Sequence, residues 1–159
     1  MIKVITLFFL FQIIFWISSC SNKEMGEKTK IIDETPEQLY SLAMIDLENE
    51  EYENSQLKFK DLEFKYPLSN EAIQAKIMLG FIEYLRLDYQ AAIFKFNQII
   101  NKYPSHKNID YVYYMRAISY FEQINDEKLD GNKNFQALNS FNQVINRFPN
   151  SKYLNDSKQ

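Results

Sequence analysis

The side chains best suited to covalent or acid–base chemistry are also the scarcest: Cys20 and His106 are each the only one of their kind in 159 residues. Brought together they would form a thiolate–imidazole pair. A lone cysteine excludes an internal disulfide and a cysteine-built zinc site. No serine, histidine and acid stand in an order that suggests a hydrolytic triad. The 3 glycines are scattered and make no phosphate-cradling loop. Residues 126–131 are spaced like the start of a calcium loop, but Lys128 stands where a ligand is needed and Ala137 where the closing glutamate belongs. His106 therefore reads as a residue that caps or positions the loop before Asp110. Asp110 reads as an N-cap or first-turn acid favoured by the helix dipole, or as part of a network with Arg116 or a contact with a partner. The acids Asp46, Glu48, Glu50, Glu51 and Glu53 read as a solvated helix end, with docking of a basic partner as the other option. These residues give no enzyme, cofactor or metal centre.

Cys20 gains a different chemistry from the residues before it. Lys3 supplies a short positive region, and residues 4–17 are almost wholly apolar. That run is shorter than the roughly 20 residues a membrane-spanning helix needs, but it suits a secretory leader. Ile17-Ser18-Ser19-Cys20 then resembles the lipobox of bacterial lipoproteins. Small residues let a peptidase reach the bond, and the thiol accepts a diacylglyceryl group. Acyl chains contribute about 0.8 kcal/mol per buried CH₂, so several on one cysteine anchor a protein almost permanently. Acylation also withdraws Cys20 from any pairing with His106. By resemblance to bacterial lipoproteins, Ser21 rather than Asp after the cysteine implies sorting to the outer membrane. The expected division is a signal peptide at 1–19, a flexible polar tether at 20–34 and a helical domain at 35–159.

Hydrophobic residues make up 46% and charged residues 25%, as in a folded chain, and only 4 prolines and 3 glycines break it. The net charge is −3, or −4 once Lys3 leaves with the leader, which argues against a nucleic-acid partner. In the centre, apolar residues at helical spacing predict helices over 71–87 and 90–103, joined by a turn at 87–89 and closed by Pro104. Earlier, Thr35-Pro36-Glu37 opens a helix running to about residue 50, and a second runs over 52–66 to Pro67. Ala43 and Gly80, Tyr52 and Tyr89, Phe59 and Phe96, Tyr66 and Tyr103, and Pro67 and Pro104 are all 37 apart. Ala117 follows Gly80, and Phe121 follows Tyr84, at the same spacing. From Ala92 to Ala137, Phe96 to Phe141 and Pro104 to Pro149 the spacing becomes 45, which places a polar loop at 125–134. The units are 35–68, 69–105 and 106–150.

Small residues at 43, 80, 92, 117 and 137 would let helices approach, and Phe59, Phe96 and Phe141 would fill the space between them. Small, aromatic and closing-proline positions in a helix pair resemble the tetratricopeptide repeat. The implied fold is an all-α, tetratricopeptide-like solenoid of about three helix pairs. Residues 151–158 look like the start of another helix. Either Tyr153 and Leu154 fold over Phe141, Val144, Ile145 and Phe148, or the sequence is a fragment.

His106-Lys107-Asn108-Ile109-Asp110-Tyr111-Val112-Tyr113-Tyr114-Met115-Arg116 resembles the signature of the BamD (ComL) family of outer-membrane assembly lipoproteins. The lipobox, the Tyr-Pro closures and Arg147-Phe148-Pro149-Asn150-Ser151-Lys152-Tyr153 are similar to that family too. Lys107 stands where the family usually has Pro, and Ala117 where it has Gly. Members carry about two further repeats, which hold much of their contact with the insertase BamA. The resemblance implies a non-enzymatic, lipid-anchored scaffold on the periplasmic face of the outer membrane. Its partners would be BamA, other assembly-machinery subunits and unfolded β-barrel precursors. A general tetratricopeptide adaptor in cell-envelope or peptidoglycan maintenance is the alternative.

Tetratricopeptide groove positions carried onto this chain are Tyr40, Met44 and Leu47, then Ile77, Phe81, Tyr84 and Leu85, then Tyr111, Tyr114, Ile118 and Phe121. Glu37, Glu48 and Glu122 would edge the groove. Such a surface suits an extended peptide with aromatic side chains. The competing expectation is that many of these residues simply pack neighbouring first helices together, least so for Tyr84, Tyr111 and Tyr114, because tyrosine suits half-wet surfaces.

Overall fold

The computed structural model describes residues 34–124 and 131–159. The leader, Cys20 and nearly all of the expected tether lie outside the described residues, as does the first part of the expected 125–134 loop.

The described residues form six α-helices and no strand: α1 Pro36–Glu48, α2 Tyr52–Lys65, α3 Asn70–Leu85, α4 Tyr89–Lys102, α5 Ile109–Phe121 and α6 Gly131–Arg147. Each helix packs on the next. The first helices of the pairs also pack on one another, α1 on α3 and α3 on α5, more than the second helices do. The first helices therefore line the inner side of the curve, and the solenoid is tetratricopeptide-like.

Local chemistry sets the helix ends. Thr35 Oγ1 accepts from the Gln38 N–H at 3.3 Å, while Gln38 Oε1 accepts from the Thr35 N–H at 2.9 Å, a reciprocal capping box followed by Pro36. Ser69 caps α3 by accepting from the Ala72 N–H at 3.0 Å. Asp88 caps α4 by accepting from the Ala91 N–H at 3.0 Å. That cap makes Tyr89 the first helical residue, so the turn occupies 86–88 rather than 87–89. Residues 131–134 open α6 rather than ending a loop.

Two core clusters span the unit boundaries. Leu39, Ala43, Phe59, Leu62, Leu79 and Ile82 join units one and two. Ile77, Phe96, Val112, Tyr113, Met115 and Val144 join units two and three. The small positions do what their spacing predicts, since Ala43, Ala92, Ala117 and Ala137 are all buried. Ser55 is also fully buried, and its hydroxyl donates to the Ala43 carbonyl at 2.8 Å across the first helix pair.

The last residues differ from expectation. Residues 152–155 are turns, and only Asp156–Lys158 is helical, as one 3₁₀ turn. Val144 is buried within the unit-three core, and Phe148 packs edge-on against Tyr113 at 5.2 Å. Phe141 packs against Phe121 at 6.3 Å. Tyr153 packs against the same core cluster as Phe148, its ring stacked on Tyr114 and tilted against Tyr111.

Candidate functional site: a tyrosine-lined groove

The three first helices bring tyrosines together from separate units. Tyr40 of α1 is half-buried, with its ring 5.5 Å from Phe59. Tyr84 of α3 stacks on Phe81 at 6.3 Å and meets Tyr89 at 5.6 Å. Tyr111 of α5 lines one cavity with Tyr40 and Tyr153, and its ring lies 5.6 Å from that of Tyr153. Burial pushes the Tyr111 hydroxyl above its ordinary pKa, and these neighbours add to the effect. Burial likewise raises Tyr114, helped by its hydrogen bond to Asp156. Burial raises Tyr84, with Glu122 as the next cause, and raises Tyr40. The group is therefore a neutral set of hydroxyls on aromatic faces, suited to binding rather than proton transfer.

A cavity of about 450 Å³ opens beside Tyr111. Tyr40, Met44, Ile77 and Met78 give it apolar walls, and Gln74, Asn108 and Asp110 supply polar edges. Lys107, Lys152 and Tyr153 also line it. A volume of this order holds one or two side chains, and apolar walls with a few placed polar groups are what a recognition site needs.

The expected groove residues do not all share this surface. Tyr40, Met44, Ile77 and Tyr111 line the cavity, and Tyr114 meets its Tyr153 wall. Ile77 is only 1% exposed, so it serves as floor and core. Leu47 is buried in the first core cluster, against which Leu85 packs. Phe81 packs against both clusters, and Ile118 is half-buried on α5. Phe121 is 54% exposed and pairs with Phe141 of α6, away from the cavity lining. Gln74, Met78, Asn108 and Tyr153 contribute to the lining although none is among the expected groove residues; Gln74 stands 37 residues before Tyr111, so the repeat register does point to it. Tyr153 lies beyond the periodic pattern, and only its aromatic type in a polar tail hints at it.

Polar residues of the unit-three signature fix the frame. The Asn108 N–H points to His106 Nδ1 at 3.3 Å, and Gln74 Nε2 lies 3.2 Å from His106 Nε2. Asn108 Nδ2 donates to Gln74 Oε1 at 3.1 Å. His106 thus ties α3 to the start of α5. Asn108 is the N-cap residue, and Asp110 sits in the first turn. Asp110 accepts from the Tyr111 N–H at 2.8 Å and from the Ser151 hydroxyl at 2.7 Å. Arg116 faces elsewhere: it donates to Asn97 Oδ1 at 2.8 Å and to Gln143 Oε1 at 2.7 Å, joining α4, α5 and α6. In the acidic run, Asp46 pairs with Lys58, and Glu53 lies 3.7 Å from Arg86. Among the described residues, no group of three or more His, Cys, Asp or Glu side chains could hold a metal ion. None of the described helices is long and apolar enough to cross a membrane.

Residues 32–159 match the family model YfiO, described as an outer membrane lipoprotein. The chain is 33% identical over 119 residues to the outer membrane protein assembly factor BamD of Rickettsia prowazekii, covering 75% of this chain and 47% of that protein. It is 30% identical over 143 residues to the BamD of Caulobacter vibrioides, covering 89% of this chain and 47% of that one. The BamD of Neisseria gonorrhoeae is 27% identical over 109 residues, 67% of this chain and 41% of its own. The chain thus spans about half the length of the curated relatives it matches. The family match takes in all six helices, the tyrosine groove and the signature around His106, and by it the chain belongs to the YfiO family of outer membrane lipoproteins.

Proposed function

We propose that this chain is a lipid-anchored scaffold of the β-barrel assembly machinery, acting on the periplasmic face of the outer membrane. It works by binding rather than catalysis and needs no cofactor. Its leader at 1–19 is removed, Cys20 carries the lipid, and residues 20–34 tether the repeat domain. The groove holds extended aromatic segments of unfolded β-barrel precursors, while other surfaces meet BamA and further subunits. The single observation behind this reading is that Tyr40 and Tyr111, from the first helices of separate units, line one cavity whose Tyr153 stacks on Tyr114, in a member of this family. Stacked rings and protonated hydroxyls suit an extended chain with aromatic side chains.

The test is co-purification of BamA and outer-membrane proteins with the Cys20-anchored chain from its own cells. Recovery of both supports the whole reading. Recovery of β-barrel precursors without BamA supports the client groove and places the insertase contact outside these three units. Recovery of neither turns the reading to a general adaptor of the cell envelope.

A further inference from the structure

If the groove takes aromatic peptides, the reading on which this inference rests, then one end of it is already occupied. The Tyr153 ring lies 4.6 Å from that of Tyr114 with only 15° between their planes, and 5.6 Å from that of Tyr111. The Tyr114 hydroxyl donates to Asp156 Oδ2. Ser151 donates to Asp110, and the buried Ser157 closes the turn by donating to the Tyr153 carbonyl at 2.8 Å. Stacked ring, carboxylate and hydroxyl are all contacts that a bound peptide would make.

The local backbone beside these contacts departs from a helix start. Ser151 stands two residues after Pro149, as Ser69 stands two after Pro67. Ser69 caps a helix by accepting from the N–H three residues on. Ser151 instead accepts from the Tyr153 N–H, two residues on at 3.2 Å, and turns its hydroxyl to Asp110. Residues 152–155 then run through turns instead of a helix. This segment makes contacts with the groove where the earlier units start a helix.

We infer that residues 151–159 are an internal ligand of the groove: Tyr153 and Asp156 fill its unit-three end, and an incoming aromatic peptide must displace them. The occupant also indicates what this end reads, namely an aromatic side chain with a carboxylate three residues further on. Tyr153 lines the cavity beside Tyr111, so a peptide ring seeking the same faces of Tyr111 and Tyr114 meets the docked segment first. Apparent affinity then scales with the fraction of molecules whose segment has lifted.

The experiment measures binding of a fluorescent decapeptide of threonine with a central tyrosine and an aspartate three residues after it to the purified full chain, to Tyr153→Ala and to Asp156→Ala. Circular dichroism verifies that each variant is folded. Both variants should bind about three- to tenfold more tightly, the scale of losing one aromatic pair. Hydrogen exchange on the unaltered chain gives a second readout. Peptide should speed exchange at Leu154, Ser157 and Lys158, whose N–H groups close the turns. If the unaltered chain binds the peptide but Tyr153→Ala binds equally or more weakly, or if exchange at these amides is unchanged or slower, Tyr153 is groove wall and the inference is overturned while the groove stands. If none of the proteins binds peptide, the groove reading fails and the inference fails with it.

Discussion

Glu50 and Leu87 lie 37 residues apart and share a left-handed backbone, at φ of 62° and 63°. Each follows the C-cap of a first helix. The Asp88 N–H bonds to the Glu83 carbonyl and the Leu87 N–H to that of Tyr84; Glu51 and Glu50 repeat the pattern on Asp46 and Leu47. This paired arrangement normally carries glycine, because a side chain there crowds the following carbonyl. The 37-residue repeat thus extends to a backbone strain that side-chain types do not reveal.

Leu87 is 70% exposed, so replacing it removes little packing. Left-handed backbone costs an L-residue about 1–2 kcal/mol, and glycine returns part of that gain as unfolded-state entropy. Leu87→Gly should stabilise the chain by about 0.5–1 kcal/mol. Urea unfolding checks it, and an unchanged or lower midpoint would show that the turn is not strained.

The helix pairs are legible in the sequence because core positions repeat with their side-chain types: Ala43, Gly80, Phe59 and Phe96 sit where the spacing puts them. The start of α6 is not, because Asn132, Lys133 and Asn134 carry no apolar period, although they are helical. The tail misleads for a different reason. Its local signal is that of a helix start, but the Ser151–Asp110 contact crosses 41 residues and has no periodic trace. The same limit hides Tyr153 from the groove, whereas Gln74, 37 residues before Tyr111, is in register and is masked only by its polar type; Phe121, placed there by register, turns to Phe141.

A Cβ on Gly80 would stand 2.7 Å from Phe96 Cε1, and Phe96 is fully buried. The helix pair of unit two therefore closes more tightly than an alanine permits. Gly80→Ala gains about 1 kcal/mol of helix propensity but forces the ring aside at a cost of about 1–3 kcal/mol. The expected net is a loss of up to about 2 kcal/mol, against the gain a glycine-to-alanine change brings in an open helix. A rise in thermal midpoint would show that Phe96 has room to move.

Arg116 is only 9% exposed, and its acceptors are two neutral amides. Its guanidinium and that of Arg147 each lie 5.0 Å from the centroid of the Tyr113 ring. Burial lowers its affinity for the proton, and its Nε has no hydrogen-bond partner. Lysine would keep the buried charge but cannot fork to Asn97 and Gln143 together. Methionine removes the charge and its desolvation cost. Arg116→Lys should therefore destabilise by about 2–3 kcal/mol and Arg116→Met by about 1 kcal/mol. The reverse order in urea unfolding would mean that the charge itself, rather than the fork, holds the three helices.

Burial, and then the Lys107 charge, hold His106 below the ordinary histidine value of 6.5. A neutral ring accepts a hydrogen bond at one nitrogen, and a protonated ring at neither. The unfolded chain consequently binds a proton at higher pH than the folded chain does. The stability from neutral His106 is complete above pH 6.5 and is lost as pH falls from there toward the lower folded value. Unfolding midpoints measured from pH 7.5 to 5 should fall for the natural chain, and His106→Gln should flatten that part of the profile. Identical profiles would remove His106 as its cause.

Tyr40 and Phe121 both belong to the groove by register, yet only Tyr40 lines the cavity. The ring of Tyr40 is half-buried and lines the cavity together with Tyr111, so its loss opens one wall of the site. Phe121 is exposed at the far end of α5, against Phe141. A bound aromatic residue stacked on Tyr40 gains about 1 kcal/mol, so Tyr40→Ala should weaken binding of an aromatic peptide by about fivefold, and Phe121→Ala should leave it unchanged. Anisotropy titration separates the two. Equal losses would spread the site along the whole first-helix face, as the repeat register alone suggests. A loss only in Phe121→Ala would move the site to the α5–α6 end and away from the tyrosines.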